Sequence, residues 1–338
     1  MKIVDLSTPA LLADAHVLKN NISIMASERP GLSLRPHVKA FKSTSLAKEL
    51  VKAGHSAFCC ATLREIEGMI KAGISQDLLL ANEVLNSKKL RKLTTNNNAR
   101  ITVAVDSPET IHAAIEGGIR EVLIDINVGL PRCGCEPGEA EVLADMAKNV
   151  GLKVRGVMGY EGHLMHEYDP MQRAKKTHLA MELLTLAHSK VGGEVISGGG
   201  TGTWDCNKAV TELQAGSYVL MDGDYAKLGL PFNEGLLLLT SVISMNKRGY
   251  VVLDGGLKAL AVDSGKPRVL GAGEVMFCSD EHTTVTGGQW SVGERVGLRP
   301  SHIDPTIAKH EFIYLVDNLK KGTEAEVVDT WPVDLRGW

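Results

Sequence analysis

Residues 101–127 read Ile101-Thr-Val-Ala-Val-Asp-Ser-Pro-Glu-Thr-Ile-His-Ala-Ala-Ile-Glu-Gly-Gly-Ile-Arg-Glu-Val-Leu-Ile-Asp-Ile-Asn127. The apolar run at 101–105 has strand character. Ser107-Pro108-Glu109 then supplies an N-cap, a proline at the first helical position and an acidic first turn. A second apolar run begins at 122, so the stretch is strand, turn, helix, strand. Similar runs occur at 32–36, 57–60, 78–81, 101–105, 122–127, 154–158, 194–197 and 218–221, each followed by a turn signal and a helical stretch. Their starts are mostly 20 to 25 residues apart, widening to 32 and 40 around the sixth. Eight such units predict an α/β fold of the (β/α)8 TIM-type barrel class rather than a doubly wound sheet.

Outward from this repeat the pattern changes at both ends. Asp14 is placed to cap a helix carrying Val17, Leu18, Ile22 and Met25. Beyond residue 236, strand-like runs at 236–243, 250–253, 267–270, 274–278 and 295–298 are separated by glycine-rich turns, which predicts an all-β C-terminal domain. Pro9-Ala-Leu-Leu-Ala13 is also strand-like and is expected to pair with that domain. The predicted division is a barrel over 13–235 and a β-rich domain over 236–338 together with 1–12.

Composition narrows the function. The chain has 338 residues, 44% of them hydrophobic and 23% charged, with a net charge of -3 and no lysine or arginine block. A nucleic-acid or anionic-membrane partner therefore has no electrostatic footprint, and a small molecule is expected. The longest apolar runs fall far short of the roughly 18 residues of a membrane span. Met1-Lys-Ile-Val-Asp-Leu-Ser-Thr-Pro9 has no apolar signal core, and six cysteines without a CxxC pair suit a reducing compartment. The expected location is cytoplasmic.

Catalytic groups of such barrels cluster beyond the C-terminal ends of the strands. The polar residues there are His37 and Lys39, Thr62, Asn82 and Glu83, Asp106, Arg132, Tyr160, His163 and His166, Ser197-Gly-Gly-Gly-Thr-Gly202, and Asp222. The glycine run is expected to enter a helix over 205–213 and to turn its backbone N–H groups onto a phosphate. Lys39, with Lys42 as a competitor, would present an amine suited to Schiff-base chemistry. A phosphate loop and such a lysine in one barrel point to pyridoxal phosphate.

Thr8-Pro-Ala-Leu-Leu12, Arg35-Pro-His-Val-Lys39, Cys60-Ala-Thr62, Leu80-Ala-Asn-Glu83, Gly129-Leu-Pro-Arg-Cys-Gly134, Gly159-Tyr-Glu-Gly-His163 and Ser197-Gly-Gly-Gly-Thr-Gly202 together resemble, in order, the alanine-racemase-like (fold type III) pyridoxal phosphate enzymes. The branch they resemble is that of D-threonine aldolase and D-serine dehydratase. The resemblance implies a head-to-tail homodimer with a shared active site. It makes Lys39 the cofactor-bearing lysine, brings Arg132 to the cofactor's phenolic oxygen with Pro131 where the family has asparagine, and sets Tyr160 by the pyridine ring. His37, Ser197, Gly198, Gly199, Gly200, Thr201 and Tyr218 complete the implied cofactor set. His166 matches a substrate-handling histidine, and His163 is a weaker candidate.

Pro300-Ser-His-Ile-Asp-Pro-Thr306 is the remaining signal. On an extended strand His302 and Asp304 would face one way, and imidazole with carboxylate suits a divalent ion. The branch carries a metal-binding His-x-Asp or His-x-Cys pair at this point, with Asp280, Glu281 and His282 resembling its nearby acidic stretch. A carboxylate at 304 is the aldolase-like choice and favours manganese, with magnesium, calcium or zinc as alternatives. The implied activity is cleavage of D-3-hydroxy amino acids to glycine and an aldehyde. The alternative is dehydration of D-serine or D-3-hydroxyaspartate to a 2-oxo acid and ammonia. A racemase would leave the His-x-Asp pair without a task, and a non-enzymatic cofactor carrier would leave the whole C-terminal domain without one.

Overall fold

The computed structural model describes residues 1–95 and 97–338. They form two compact units, one of Met25–Lys39, Ala47–Gly216 and Leu335–Trp338, the other of Met1–Ile24, Ala40–Leu46 and Ser217–Asp334.

The first unit holds a seven-stranded parallel sheet of Ala57–Cys60, Asp77–Leu80, Ile101–Val105, Glu121–Asp125, Lys153–Gly159, Val195–Gly198 and Glu212–Leu213, whose spatial order is the chain order. Leu34 bridges in parallel to Leu213 at one edge and His37 to Cys59 at the other. The segment 34–37 thus stands between the two edges and closes the TIM-type barrel. Cys59, Leu79, Ala104, Leu123, Met158 and Val195, one from each of six successive strands, form a buried cluster. Such a layer makes the interior a packed core rather than a pore. The helix Pro108–Glu116 starts as the sequence predicts, with the Ser107 hydroxyl accepting from the Thr110 N–H at 3.4 Å.

Two of the eight expected strands are not formed. Residues 32–36 follow a 3-10 turn, Gly31–Ser33, and pair through isolated bridges only. The 3-10 turn, entered through Gly31 with a φ of 57°, takes up the start of the run, and Pro36 removes a backbone donor near its end, so no continuous ladder forms there. Residues 218–221 fall in and after the 3-10 turn Ser217–Val219, and Met221 has a φ of 53°, a left-handed conformation that ends any extension. The last barrel strand is instead Glu212–Leu213, at the end of the stretch expected to be helical. Thr211 joins Ile196 through its main chain at 2.8 Å and its hydroxyl at 2.9 Å, and the Asn207 side chain is drawn into a buried hydrogen bond. These contacts replace the helix over 205–213.

Charges are buried at the N-terminal ends of these strands. Arg35 is 1% exposed, donating to Glu212 Oε1 at 2.7 Å and to Asp77 Oδ1 at 3.0 Å. Arg155 grips both oxygens of Asp77 at 3.0 Å and reaches Thr102 Oγ1 at 2.8 Å. Burial opposes charge on Arg35, and Glu212 with Asp77 outweighs it, raising the guanidinium pKa. Burial likewise opposes the charge on Asp77, and Arg35 with Arg155 holds its carboxyl below the ordinary range.

The second unit is built on a nine-stranded sheet. Ala10–Asp14 pairs antiparallel with Leu236–Met245 and parallel with Phe312–Val316, so the expected pairing of the N-terminal strand occurs. Tyr250–Leu253, Arg268–Val269, Glu274–Cys278 and Arg295–Arg299 lie where the sequence places strands, and Thr283–Thr286, Phe312–Val316 and Val327–Pro332 are additional. Leu237 and Leu239 enter one apolar cluster, with Ile3, Leu12 and Val316, while Leu238 and Val242 enter another, with Val251, Leu253 and Leu298. The run Leu236-Leu-Leu-Leu239 is therefore a central strand covered on both faces. Among the described residues no helix is long and apolar enough to cross a membrane.

Candidate cofactor site and candidate metal ligands

In the barrel unit, Lys39 follows the closing bridge at His37 directly and lies in the 3-10 turn Val38–Ala40. Its Nζ is 5.6 Å from the centroid of the Tyr160 ring, and the Arg132 Cζ is 5.5 Å from the same centroid. Both separations are within the reach of cation–π attraction. Tyr160 is delivered by the end of the strand Lys153–Gly159, and a side chain at Gly162 would collide with its ring. Lys42, the competing lysine, sits three residues on with a φ of 50°.

Arg132 rides on an exposed loop tied down at its base. Asn127 N–H donates to Cys135 O at 2.8 Å, Cys135 N–H to Asp125 O at 3.0 Å, and Gly134 N–H to Asp106 Oδ2 at 3.1 Å. Asp125 is 6% exposed. Burial, and next the Glu83 carboxyl beside it, push the Asp125 carboxyl well above the ordinary range against the pull of Arg132. Burial and neighbouring acids push Cys133 and Cys135 up to about 12, so neither is a thiolate nucleophile.

The glycine loop is shaped from below. Gly199 has a φ of 74°, and a Cβ on Gly200 would lie 2.6 Å from Met165 Sδ and 3.5 Å from Tyr160 Cε2, so the loop passes directly against the Tyr160 ring. Gly199 N–H donates to Glu161 Oε2 at 3.0 Å and Gly200 N–H to Thr203 Oγ1 at 3.3 Å. These two donors, expected to meet a phosphate, are taken instead by Glu161 and by the loop's own Thr203. No helix follows it; Thr201–Thr203 is a single 3-10 turn. Ser197 and Thr201 are buried, the Ser197 hydroxyl accepting from Gln214 Nε2 at 2.9 Å. His163 is exposed, near Gly129, and His166 is half-buried in the same loop. Glu161 went unrecognised in the sequence; its signal was an acid between two aromatic-loop landmarks, Tyr160 and His163.

Tyr218, which belongs to the other unit, is fully buried with its ring centroid 5.5 Å from that of Phe232, and burial raises its phenol.

In that unit His302 and Asp304 do not share a strand. His302 is extended, with φ -141° and ψ 117°, and caps the short helix Ile303–Ile307, in whose first turn Asp304 lies. The helix forms because Asp222 Oδ2 accepts the Ile303 N–H at 2.9 Å and the Thr306 hydroxyl bonds the His302 carbonyl at 2.6 Å. Burial pushes Asp222 up to about 6, opposed by the backbone N–H groups of Tyr225 and Ile303. His302 Nδ1 donates to Asp263 Oδ2 at 2.6 Å, and Asp304 Oδ1 accepts from Ser217 Oγ at 3.3 Å. A carboxylate on Nδ1 leaves Nε2 as the coordinating nitrogen, the arrangement metal-binding histidines adopt. An imidazole nitrogen and a carboxylate are donor types that suit a divalent ion. Among the described residues no three His, Cys, Asp or Glu converge to hold one. Asp263 was not singled out from the sequence. Glu281, in an exposed turn with Asp280 and His282, pairs with Lys258.

A parallel barrel carrying a lysine, an arginine and a glycine loop around one tyrosine defines the alanine racemase type of protein. Residues 13–223 match the alanine racemase N-terminal domain, and the chain belongs to that family. Residues 235–316 match a putative serine dehydratase domain, which places the chain in the branch of D-threonine aldolase and D-serine dehydratase. It is 33% identical to the 3-hydroxy-D-aspartate aldolase of Paracoccus denitrificans (strain Pd 1222), covering 98% of this chain and 93% of that one. It is 26% identical to the D-threo-3-hydroxyaspartate dehydratase of Delftia sp. (strain HT23), over 79% of this chain and 76% of that one. The crystal structure of D-threonine aldolase from Filomicrobium marinum superposes with a TM-score of 0.91 at 32% identity, over 100% of this chain and 97% of that one.

Proposed function

We propose that this protein is a pyridoxal phosphate- and divalent-metal-dependent D-threonine aldolase, cleaving D-3-hydroxy amino acids to glycine and an aldehyde as a cytoplasmic homodimer. The observation that carries the reading is the meeting of Lys39, Arg132 and the glycine loop on the Tyr160 ring. A close-packed glycine at 200, an amine and a fixed cation suit a flat, anionic, carbonyl-bearing cofactor. When bound, pyridoxal phosphate supplies a conjugated ring that accepts the electron pair released at Cα, and the metal, manganese by preference, supplies Lewis acidity toward a substrate oxygen.

The chain's own groups divide the remaining work. Lys39 holds the cofactor, and Arg132 places positive charge by its phenolic oxygen. Tyr160 keeps both cations aligned and provides a face for the ring. His166 holds the proton of the substrate 3-hydroxyl, the group whose ionisation opens the Cα–Cβ bond. His302, through Nε2, and Asp304 hold the metal, with Asp263 orienting the imidazole.

A dehydratase reading has support from the serine dehydratase domain match over 235–316. There Lys39 removes the α-proton and the 3-hydroxyl departs. Asp304 favours the aldolase, because thiolate at that place is the zinc-selecting, dehydratase-like choice. Product analysis with D-threonine and D-3-hydroxyaspartate, pyridoxal phosphate and manganese decides: glycine plus an aldehyde establishes the aldolase, and 2-oxo acid plus ammonia replaces it with the dehydratase.

A further inference from the structure

Glu161 is 0% exposed, and its carboxylate accepts from the Gly199 N–H at 3.0 Å, the Thr203 hydroxyl at 2.8 Å and Asn207 Nδ2 at 2.8 Å. All three donors are neutral and come from one stretch, 199–207, and among the described residues no lysine, arginine or histidine pairs with it. A buried carboxylate without a cation is costly unless donors saturate it. Here they do so while fixing two features of the loop. One is the left-handed turn at Gly199, with its φ of 74°. The other is the Thr203 hydroxyl, which in turn accepts the Gly200 N–H at 3.3 Å. The acid therefore acts as a pedestal that sets the backbone of the loop on the side that touches Tyr160.

We propose that Glu161 is a positioning residue for cofactor recognition: by holding Gly199, Thr203 and Asn207 it gives the glycine loop the shape that receives a phosphate ester, and it thereby sets the preference for pyridoxal phosphate over unphosphorylated pyridoxal. The inference rests on the pyridoxal phosphate reading above. It assigns the work to hydrogen-bond shape rather than charge. Among the described residues Asn207 Oδ1 has no partner, so a glutamine at 161 can be accommodated by turning the Asn207 amide, whereas an alanine takes the acceptor from three buried donors and leaves Asn207 Nδ2 only its contact with Met181 Sδ at 3.2 Å.

The test compares full-length wild type, Glu161→Gln and Glu161→Ala after cofactor removal, titrating each with pyridoxal phosphate and with pyridoxal and reading visible absorbance. Wild type is expected to prefer the phosphorylated form; its failure to do so would sink the cofactor reading itself. With that preference present, Glu161→Ala is expected to lose it by roughly tenfold or more through weaker pyridoxal phosphate binding alone, and Glu161→Gln to keep it. An unchanged preference in Glu161→Ala, equal weakening of both ligands, or equal loss in the two variants would overturn the positioning role. If Glu161→Ala does not fold, Thr203→Val, which removes the hydroxyl link to the pedestal, carries the same comparison.

Discussion

Asp125 ends its strand with a carboxyl that burial and Glu83 keep protonated well above the ordinary range, next to the arginine proposed to meet the cofactor. A folded-state pKa raised above the unfolded value means that unfolding releases a proton. This contribution to stability is fully present below the unfolded pKa and declines as pH rises toward the folded one. Asp125→Asn is expected to flatten that decline, so thermal melts of wild type and variant should diverge as pH rises above the ordinary carboxylate range, with the variant the less pH-sensitive. At this scale the sequence was informative where chemistry sits in a motif: Lys39, Arg132 and Tyr160 were singled out and lie together. It was silent on Glu161 and Asp263, whose partners are 38 to 46 and 39 residues away and follow no periodicity.

Among elements, apolar runs with turn signals located six of the barrel strands and six strands of the other unit, the N-terminal Ala10–Asp14 among them. The errors fell where local propensity competed with a tertiary tie. The 3-10 turn at Gly31–Ser33 and Pro36 reduce the first expected strand to bridges, and Thr211 with Asn207 draws 205–213 out of a helix into the barrel edge. The Asp77 network shows what such ties contribute, since Arg35, Arg155, Thr102 and Glu212 come from four places in the chain and meet at the strand starts. Its titration has the opposite sign to that of Asp125. A depressed Asp77 pKa contributes stability above the ordinary carboxylate range that is lost as pH falls through the folded value. Asp77→Asn leaves two buried guanidinium groups short of a carboxylate and is expected to cost about 3 kcal/mol at pH 7 by chemical denaturation. The deficit should shrink on acidification.

For the whole molecule, the proposed chemistry divides between the two units, and so do its tests. Lys39→Ala should abolish the visible absorbance of bound cofactor and all turnover. His302→Ala should keep that absorbance and lose metal-stimulated turnover, and Asp263→Asn should weaken the metal by about 10–100-fold through the misoriented imidazole. Titrating activity with manganese while recording the spectrum separates the three; full metal-free activity in His302→Ala would remove the metal role. Composition and charge, read alone, already pointed to a small-molecule enzyme, whereas the His302–Asp304 pair needed the structure to show a helix cap instead of a strand.

The closure of the barrel at 34–37 has a consequence in local opening. Every other neighbouring pair of barrel strands is joined by a ladder, while among the described residues the main-chain ties of this seam are Arg35 N–H to Leu213 O, His37 N–H to Ala215 O and Cys59 N–H to Pro36 O, with the buried Arg35 side chain adding its bonds to Glu212 and Asp77. Short ladders open before long ones. Lys39 stands two residues past the seam, so the cofactor proposed to attach to it would fasten the place in the ring of strands with the fewest main-chain ties, and its removal is expected to let that same place exchange its amide hydrogens first.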